Sequence, residues 1–354
     1  MKIKTIQYLK TIFLFEMRRK YLEKNKVNAQ LWKHKFKQLL SSDDSRYDEL
    51  LWEFLFCDIK KISKNKIKKK NRTSPILFCV IKNDVDKIQK FMQHYRKLGV
   101  ECFVFLDNNS TDGTREYLCN QKDAIVFLCT EEYSSARRVA WLNRLLAVYG
   151  DNQWCLVVDS DELITYIDCE KYSLCDVVKK AIENQYFRIE GFMLDMYSTE
   201  DLFKENDQEE FTDFYRYFDA NSYEIKGTNR GIAIWGGPRK RVFRRNMKLS
   251  KYPLFYYREE DFLASSHYMI PFQDARKCPI WFAICHYKFL NKKDLEKIEE
   301  AVKKENYAAG SMDYKIYLGL IKKKQKLSFF CKENSREMKN SVSLKEIKFI
   351  KSIF

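Results

Sequence analysis

The fold is decided by the stretch Trp154-Cys155-Leu156-Val157-Val158-Asp159-Ser160-Asp161-Glu162-Leu163. Its first half is an apolar run rich in Val and Leu, which is typical of a strand buried on both faces. Three carboxylates follow at the carboxyl end of that strand, where open α/β sheets bind their ligands. Asp159 and Asp161 predict a site for one divalent cation, because Mg²⁺ and Mn²⁺ favour one or two protein carboxylates. The alternative is an Asp that only caps the next helix.

The sequence on either side of this stretch alternates between apolar runs and helical patterns. Strands are predicted at 76–81, 102–106 and 124–129, and helices at 84–98 and 134–149, the first of them ended by Gly99. Further along, the pattern predicts a helix at 174–182 and strands at 191–194 and 279–285. Short connections between alternating strands and helices predict an α/β fold with a mostly parallel sheet that is flanked by helices.

The positive charge of the chain lies in its two ends. The formal net charge is +16, yet residues 75–287 hold 28 Lys and Arg against 32 Asp and Glu. Residues 1–74 hold 20 against 8, and residues 288–354 hold 17 against 9. A slightly acidic body argues against nucleic acid as a partner, whereas basic ends suit an anionic membrane surface.

These shifts in composition predict three regions. Residues 1–74 are interpreted as a basic helical extension, 75–290 as the α/β domain, and 291–354 as a second basic helical extension. The first extension is either a helix that lies on anionic lipid or one that packs on the main domain. Its apolar stretch is too short and too interrupted for a membrane span.

The cysteines indicate the compartment. Four of the eleven, Cys79, Cys102, Cys129 and Cys155, fall inside apolar runs, where Cys behaves as a small hydrophobe. This placement argues against a disulfide framework, and the absence of any Cys-x-x-Cys pair argues against a structural zinc site. We therefore expect a cytoplasmic protein, peripheral at the inner face of the plasma membrane if its basic ends bind lipid.

A second polar segment, Asp107-Asn108-Asn109-Ser110-Thr111-Asp112-Gly113-Thr114, follows the second predicted strand. It offers several side-chain acceptors, a turn glycine and the start of a helix, which together suit a nucleotide. Asp107 is placed to accept from a uracil N–H or a ribose hydroxyl. A turn that only caps the helix is the alternative.

Taken in order, these motifs resemble a known enzyme family. Lys82-Asn83-Asp84, Leu98-Gly99-Val100, the segment 107–114 and Asp159-Ser160-Asp161-Glu162 occur along one β/α pattern. This combination resembles glycosyltransferase family 2, whose members have the GT-A fold and transfer sugars from nucleotide donors with inversion. The resemblance covers residues 75–165 clearly and the segments at 236–239 and 285–289 more weakly. Asp84 and Leu163 depart from the family pattern, which has Glu and often Phe there.

The resemblance implies roles for individual residues. Asp107 would bind the base of a uridine-type nucleotide, with Asp84 beside the same nucleoside and Asn109 from the same segment. Asp159 would lie near the ribose, and Asp161 would hold the Mg²⁺ or Mn²⁺ that bridges the diphosphate, where the metal acts as a Lewis acid. The expected function is transfer of a sugar from a UDP-sugar to a glycan or glycolipid precursor of a bacterial surface.

Several further residues stay open between a functional and a structural role. Arg137 and Arg138 open a helix and either pair with an Asp or a phosphate or form a solvated face. An inverting transfer needs a base, for which Asp195, Glu260 and Asp261 are the candidates. His286 ends an apolar strand and either completes the metal shell or is structural. The basic segment 239–241 suits a phosphate or an anionic acceptor, or is simply surface.

Two other functions remain possible interpretations of the sequence. A sugar-phosphate nucleotidyltransferase would need a glycine-rich loop after the first strand, and residues 82–85 are not glycine-rich. A polyanion- or membrane-binding protein with a degenerate transferase body would use only its Lys-rich ends. Loss of turnover with retention of polyanion binding, after substitution of Asp159 and Asp161, separates an enzyme from such a binding protein.

Overall fold

The apolar runs of the sequence form strands close to the predicted bounds. A computed structural model describes residues 50, 53–54, 57–66, 73–204, 210–228, 231–258, 261–270, 278–324 and 326–354. The predicted strand at 76–81 is β2, and the strand predicted at 102–106 extends one residue further, to Asp107. Most of the predicted N-terminal extension, including residues 1–49, lies outside the described residues.

Strands and helices alternate along the chain. The strands are β1 (Lys60–Lys61), β2 (Ile76–Ile81), β3 (Cys102–Asp107), β4 (Ala124–Leu128), β5 (Gln153–Val157), β6 (Glu162–Thr165), β7 (Arg188–Asp195), β8 (Tyr217–Asp219), β9 (Tyr223–Thr228), β10 (Gly231–Gly236), β11 (Ser250–Tyr257), β12 (Phe262–Ser265), β13 (Tyr268–Ile270), β14 (Ile280–His286) and β15 (Ser335–Glu337). The helices are α1 (Val85–Lys97), α2 (Thr114–Cys119), α3 (Ser135–Tyr149), α4 (Leu174–Glu183), α5 (Phe211–Phe214), α6 (Gly237–Phe243), α7 (Lys292–Lys304) and α8 (Ala308–Lys323). The predicted mixed α/β class with mostly parallel strands is confirmed.

The chain forms two compact units, each assembled from three segments. Unit 1 contains Met1–Val85, Glu101–Val157 and Phe255–Gln273, and unit 2 contains Asp86–Val100, Val158–Leu254 and Asp274–Phe354. The boundaries predicted at residues 74 and 290 stay predictions.

In unit 1, five strands pair in the order β1-β4-β3-β2-β5. The strands β2, β3, β4 and β5 are parallel, and β1 adds to β4 in the antiparallel direction. Their apolar side chains pack with the buried face of α3, including Trp141 and Leu145. Ser134 begins α3 by accepting a hydrogen bond from the Arg137 amide. The parallel register puts Ile81 level with Asp107, so the segments after β2 and β3 leave the sheet side by side.

In unit 2, strands β7 and β14 are parallel, and β6 pairs with β14 in the antiparallel direction. These strands belong to the order β11-β7-β14-β6. A separate aromatic cluster, which includes Phe243, Phe289 and Tyr317, packs near α7 and α8. Gly99 has a φ of 87° just after α1, the left-handed conformation in which glycine carries no Cβ penalty, so the predicted helix end is confirmed.

The prediction of a helical C-terminal extension over 291–354 is wrong beyond Lys323. Residues 335–337 form β15, which pairs with β8, and Ser341–Glu346 form a 3-10 helix. The residues at helical spacing that predicted this helix, Leu295, Ile298 and Val302, all lie in α7. Further along, Leu344, Ile347, Ile350 and Ile353 are apolar at a spacing of three, and all four are buried. A 3-10 turn followed by irregular chain buries the same side chains, so the apolar pattern alone did not select an α-helix.

Within the described residues, the model has no helix that is both long and apolar enough to cross a membrane.

Candidate functional site

In unit 1, the polar segment 107–114, here called the Asx-rich loop, is bonded to the segment that follows β2. The Asn83 amide donates to Ser110 Oγ at 2.9 Å, and the Asp84 amide donates to Thr114 Oγ1 at 3.0 Å. In return, the Asn83 side-chain carbonyl accepts from the Thr111 amide at 2.8 Å. These bonds satisfy backbone donors at the ends of two parallel strands and fix the two segments to each other.

Asp107 carries an unused acceptor at the base of the Asx-rich loop. Its side chain is fully buried, and Oδ1 accepts from the Ser110 amide at 3.0 Å. Oδ2 is buried and has no hydrogen-bond partner among the described residues. A buried carboxylate oxygen normally has a donor, so Asp107 is ready to accept from a ligand N–H or O–H.

The other predicted nucleotide-binding residues of this loop lie nearer to solvent. Asp84 is half-buried, and Asn109 is exposed with a φ of 58°, a left-handed conformation that Asn tolerates well. Within the loop, partial burial would raise the pKa of Asp112, but hydrogen bonds from Thr114 and the Val85 amide lower it overall. Asp112 therefore stays an acceptor that holds the loop.

Both predicted arginines of α3 are engaged by unit 1 itself. Arg137 Nε donates to Glu53 Oε2 at 3.0 Å. Arg138 is buried, and its Nη1 donates to Ser266 Oγ at 3.1 Å. These contacts argue against a phosphate-binding role for the two side chains, and the burial of Arg138 also contradicts the predicted solvated face.

In unit 2, residues 159–162, here called the acidic turn, lead into β6. The turn is closed by two hydrogen bonds, from the Asp159 amide to Glu162 Oε2 at 3.1 Å and from the Glu162 amide to the Asp159 carbonyl at 3.0 Å. The Asp161 side chain keeps 23% exposure, whereas Glu162 is buried. The turn therefore presents Asp161 outward and Glu162 inward.

Strand pairing brings His286 to this turn. In β14, His286 lies level with Glu162 of β6 and with Asp195 of β7. The next residue ties the chain to the turn, because the Tyr287 amide donates to the Asp161 carbonyl at 2.8 Å. As a result, His286 Nε2 lies 3.5 Å from Asp161 Oδ2.

Asp195 orients the imidazole from the other side. Its Oδ1 lies 2.8 Å from His286 Nδ1, and its Oδ2 accepts from Arg239 Nε at 2.7 Å. Burial would raise the pKa of Asp195, but Arg239 and His286 outweigh it and lower the pKa. A carboxylate that fixes one ring nitrogen leaves the other facing Asp161, the arrangement usual behind a metal-binding histidine.

The ligand atoms of Asp161, Glu162 and His286 all lie within 4.8 Å of one another and could hold a metal ion. Two of these residues, Asp161 and His286, were predicted as ligands. The third predicted ligand, Asp159, instead has Oδ2 3.5 Å from Lys251 Nζ. A set of carboxylates with one imidazole fits Mn²⁺ and similar first-row ions.

Two lysines border the acidic turn, and neither was predicted to have a role. Lys251 forms a close ion pair with Glu162. Lys288 Nζ lies 5.0 Å from the ring centroid of Tyr314. Burial would lower the pKa of Lys288, but Tyr314 and Asp161 raise it, so its ammonium stays charged. A lysine in the otherwise apolar run of β11 was the signal that could have pointed to Lys251.

The three candidate bases have different surroundings. Asp195 is only 2% exposed and held by Arg239, as described above. Asp261 is fully buried and receives two hydrogen bonds of 3.1 Å from the Arg258 guanidinium. Glu260 lies outside the described residues.

A scan against protein-family models gives no match, and neither does a search of curated proteins.

Proposed function

We propose that this protein is a metal-dependent inverting glycosyltransferase with a GT-A type of fold, acting on a nucleoside-diphosphate sugar. The observation that carries the proposal is the arrangement of His286, whose ring is held by buried Asp195 and directed at Asp161. A carboxylate and an oriented imidazole after an apolar strand form a metal-binding edge in an α/β protein.

Asp161 and His286 would hold the metal ion, with Asp159 and Glu162 beside them. Burial would raise the pKa of Asp161, but the charges of His286 and Lys288 lower it. The bound ion would supply a Lewis acid that neutralises the leaving nucleoside diphosphate.

Other residues of unit 2 would bind the donor or position those that do. The Lys288 ammonium, two residues after His286, would add a charge-assisted hydrogen bond to a phosphate. Asp195 would act as a positioning residue through His286, since its carboxylate is already held by Arg239.

For the nucleoside, we assign recognition to Asp107. Its Oδ2 is the buried acceptor that lacks a partner among the described residues, and the imide N–H of uracil or a ribose hydroxyl is a matching donor. A UDP-sugar is therefore the donor that we test first.

The base that deprotonates the acceptor hydroxyl must be able to accept a proton. Asp195 and Asp261 both receive hydrogen bonds from guanidinium groups. Glu260, which lies outside the described residues, stays a prediction for this role. If Glu260 is the base, replacing it with Gln should abolish transfer to the acceptor while slow donor hydrolysis persists.

We extend the proposal to the acceptor and the location. The family resemblance and the basic ends of the sequence favour a bacterial surface glycan or glycolipid precursor. An acceptor of this kind would be met at the cytoplasmic face of a membrane.

Donor hydrolysis tests the proposal. Purified protein is mixed with UDP-, GDP- and CDP-sugars in Mn²⁺ or in chelator, and release of the nucleoside diphosphate is measured. We expect one donor to be hydrolysed slowly and only with metal. If no donor is hydrolysed and no nucleotide raises the melting temperature, the proposed function is wrong.

A further inference from the structure

Lys251 is a buried lysine in contact with the acidic turn. It lies in β11 between the buried Ser250 and the half-buried Tyr252, and its side chain is only 9% exposed. Its ammonium forms the close ion pair with Glu162 and lies 3.5 Å from Asp159 Oδ2. A lysine is rarely this buried unless its charge is matched.

The contacts of Lys251 divide the acidic turn into two parts. Glu162 has both oxygens in use, one toward Lys251 and one toward the Asp159 amide. Asp161 faces His286 and carries the more exposed carboxylate of these two acids. One part of the turn therefore already has a cation, and the other has open oxygen and nitrogen ligands.

We propose that Lys251 is a tethered cation that occupies the Glu162 part of the acidic turn and restricts this edge to one divalent ion, held by Asp161 and His286. Lys251 acts here as a positioning residue, because it contacts the acids and not the reacting atoms. Glu162 is accordingly the partner of Lys251 and not a metal ligand, although its oxygens lie within reach of the cluster. This inference rests on the metal site of the proposed function.

Charge and geometry support this division. Three carboxylates within four residues repel one another unless cations balance them. Lys251 balances the charge of Glu162 in a buried ion pair. Removal of either partner would leave a buried charge without a counter-charge. A divalent ion that took Glu162 as a ligand would have to displace an ammonium already in contact with it.

The paired substitution Lys251→Met with Glu162→Gln gives the decisive test, because it removes both charges of the buried pair at once. Binding of Mn²⁺ alone is followed by the loss of the electron paramagnetic resonance signal of the free ion. We expect the double variant to bind one Mn²⁺ within about threefold of the wild-type affinity. If Glu162 is a metal ligand, its loss should weaken binding by at least about tenfold, and that result would overturn the proposal.

Lys251→Met alone gives the complementary result. Freeing Glu162 and Asp159 should tighten Mn²⁺ binding by about tenfold or more, or add a second equivalent. Unchanged affinity and stoichiometry in the folded variant would contradict the proposal. Lys171→Met is the matched control, since Lys171 pairs with Asp168 at 2.8 Å on the surface and should leave the titration unchanged.

The titration needs no donor, so its outcome is separate from that of the proposed function. A normal titration without hydrolysis of any nucleotide sugar would overturn only the proposed function. A wild-type protein that binds no Mn²⁺ would remove the metal from that function and would also overturn the role of Lys251, because that role is defined by the one ion that Asp161 and His286 hold. If Lys251→Met does not fold, the double variant decides.

Discussion

The Asx-rich loop and the acidic turn both carry carboxylates after a strand, yet they satisfy their polar groups in different ways. In the loop, the partners are amides and hydroxyls about 30 residues away or closer, as for Asp84 and Thr114. In the turn, Glu162 is paired with Lys251, 89 residues away. The loop is therefore determined by nearby sequence, whereas the turn depends on the folded strands of unit 2. Substitutions of the residues that hold the turn should therefore lower stability more than substitutions in the loop.

The largest expected effect is on stability and belongs to the residues behind the acidic turn. Replacing Arg239 with Met leaves the buried Asp195 carboxylate without its guanidinium, and losing one partner of a buried pair costs about 3–5 kcal/mol. Urea unfolding of Arg239→Met measures this loss. Adding Asp195→Asn should recover more than half of it. A loss below about 1 kcal/mol would mean that the buried ion pair behind the turn contributes no more to stability than contacts of the loop do.

The next effect should be on ligand binding by the loop. In Asp107→Asn, the side-chain amide oxygen can still accept from the Ser110 backbone amide, but an NH₂ group takes the place of Oδ2, the acceptor without a partner among the described residues. Losing a hydrogen bond to a charged group should raise the KM for the nucleotide sugar about 10- to 100-fold. The melting temperature should change little. Equal losses of stability and affinity would remove the distinction between the two regions.

A smaller effect is expected for Thr114→Val. Thr114 is fully buried, and its hydroxyl accepts from the Asp84 amide and donates to Asp112. Leaving these groups without their partner should lower the free energy of unfolding by about 1–2 kcal/mol. The exposed Thr111→Val is the matched control and should be close to neutral. A Thr114 variant as stable as this control would show that the loop does not depend on its own hydrogen bonds.

The smallest effect is the pH dependence of Asp112. Its pKa is lowered from 3.8 in the folded protein, so the unfolded chain binds the proton more readily. The stabilisation is therefore complete above about pH 4 and is lost as the pH falls through the folded value. Because Asp112 is largely exposed, the contribution should stay below about 1 kcal/mol. The acid-induced loss of stability, measured by urea unfolding, should be slightly smaller in Asp112→Asn.

The difference between local contacts in the loop and long-range contacts in the turn explains which parts of the fold and the site could be predicted from the sequence. The strand β2 and the end of α1 at Gly99 follow from local apolar pattern and turn chemistry. Asp107 comes directly after an apolar run and Asp161 lies three residues after another, so their positions near strand ends were predictable. In the C-terminal region, Leu295 and Ile298 correctly indicated a helix, but their spacing does not show where helical structure ends, which is why an α-helix was wrongly predicted beyond Lys323.

The charge pairs of the acidic turn were not predictable from one sequence. The pair of Glu162 with Lys251 depends on the strand order in unit 2, as does the contact of Asp195 with His286, 91 residues away. Asp195 was predicted as a base because it ends a strand. Its carboxylate is instead held between Arg239 and His286, which favours a positioning role.

The most direct test of the central claim, that Asp161 holds the metal used in sugar transfer, is Mn²⁺-dependent release of nucleoside diphosphate by Asp161→Asn. Asp151→Asn, the same change at an exposed position, is the control. We expect Asp161→Asn to lose about 100- to 1,000-fold in rate, since metal stabilisation of the leaving group contributes several kcal/mol. The control should retain wild-type activity. If Asp161→Asn keeps metal-dependent activity within about threefold of wild type, the metal lies elsewhere and the claim is contradicted.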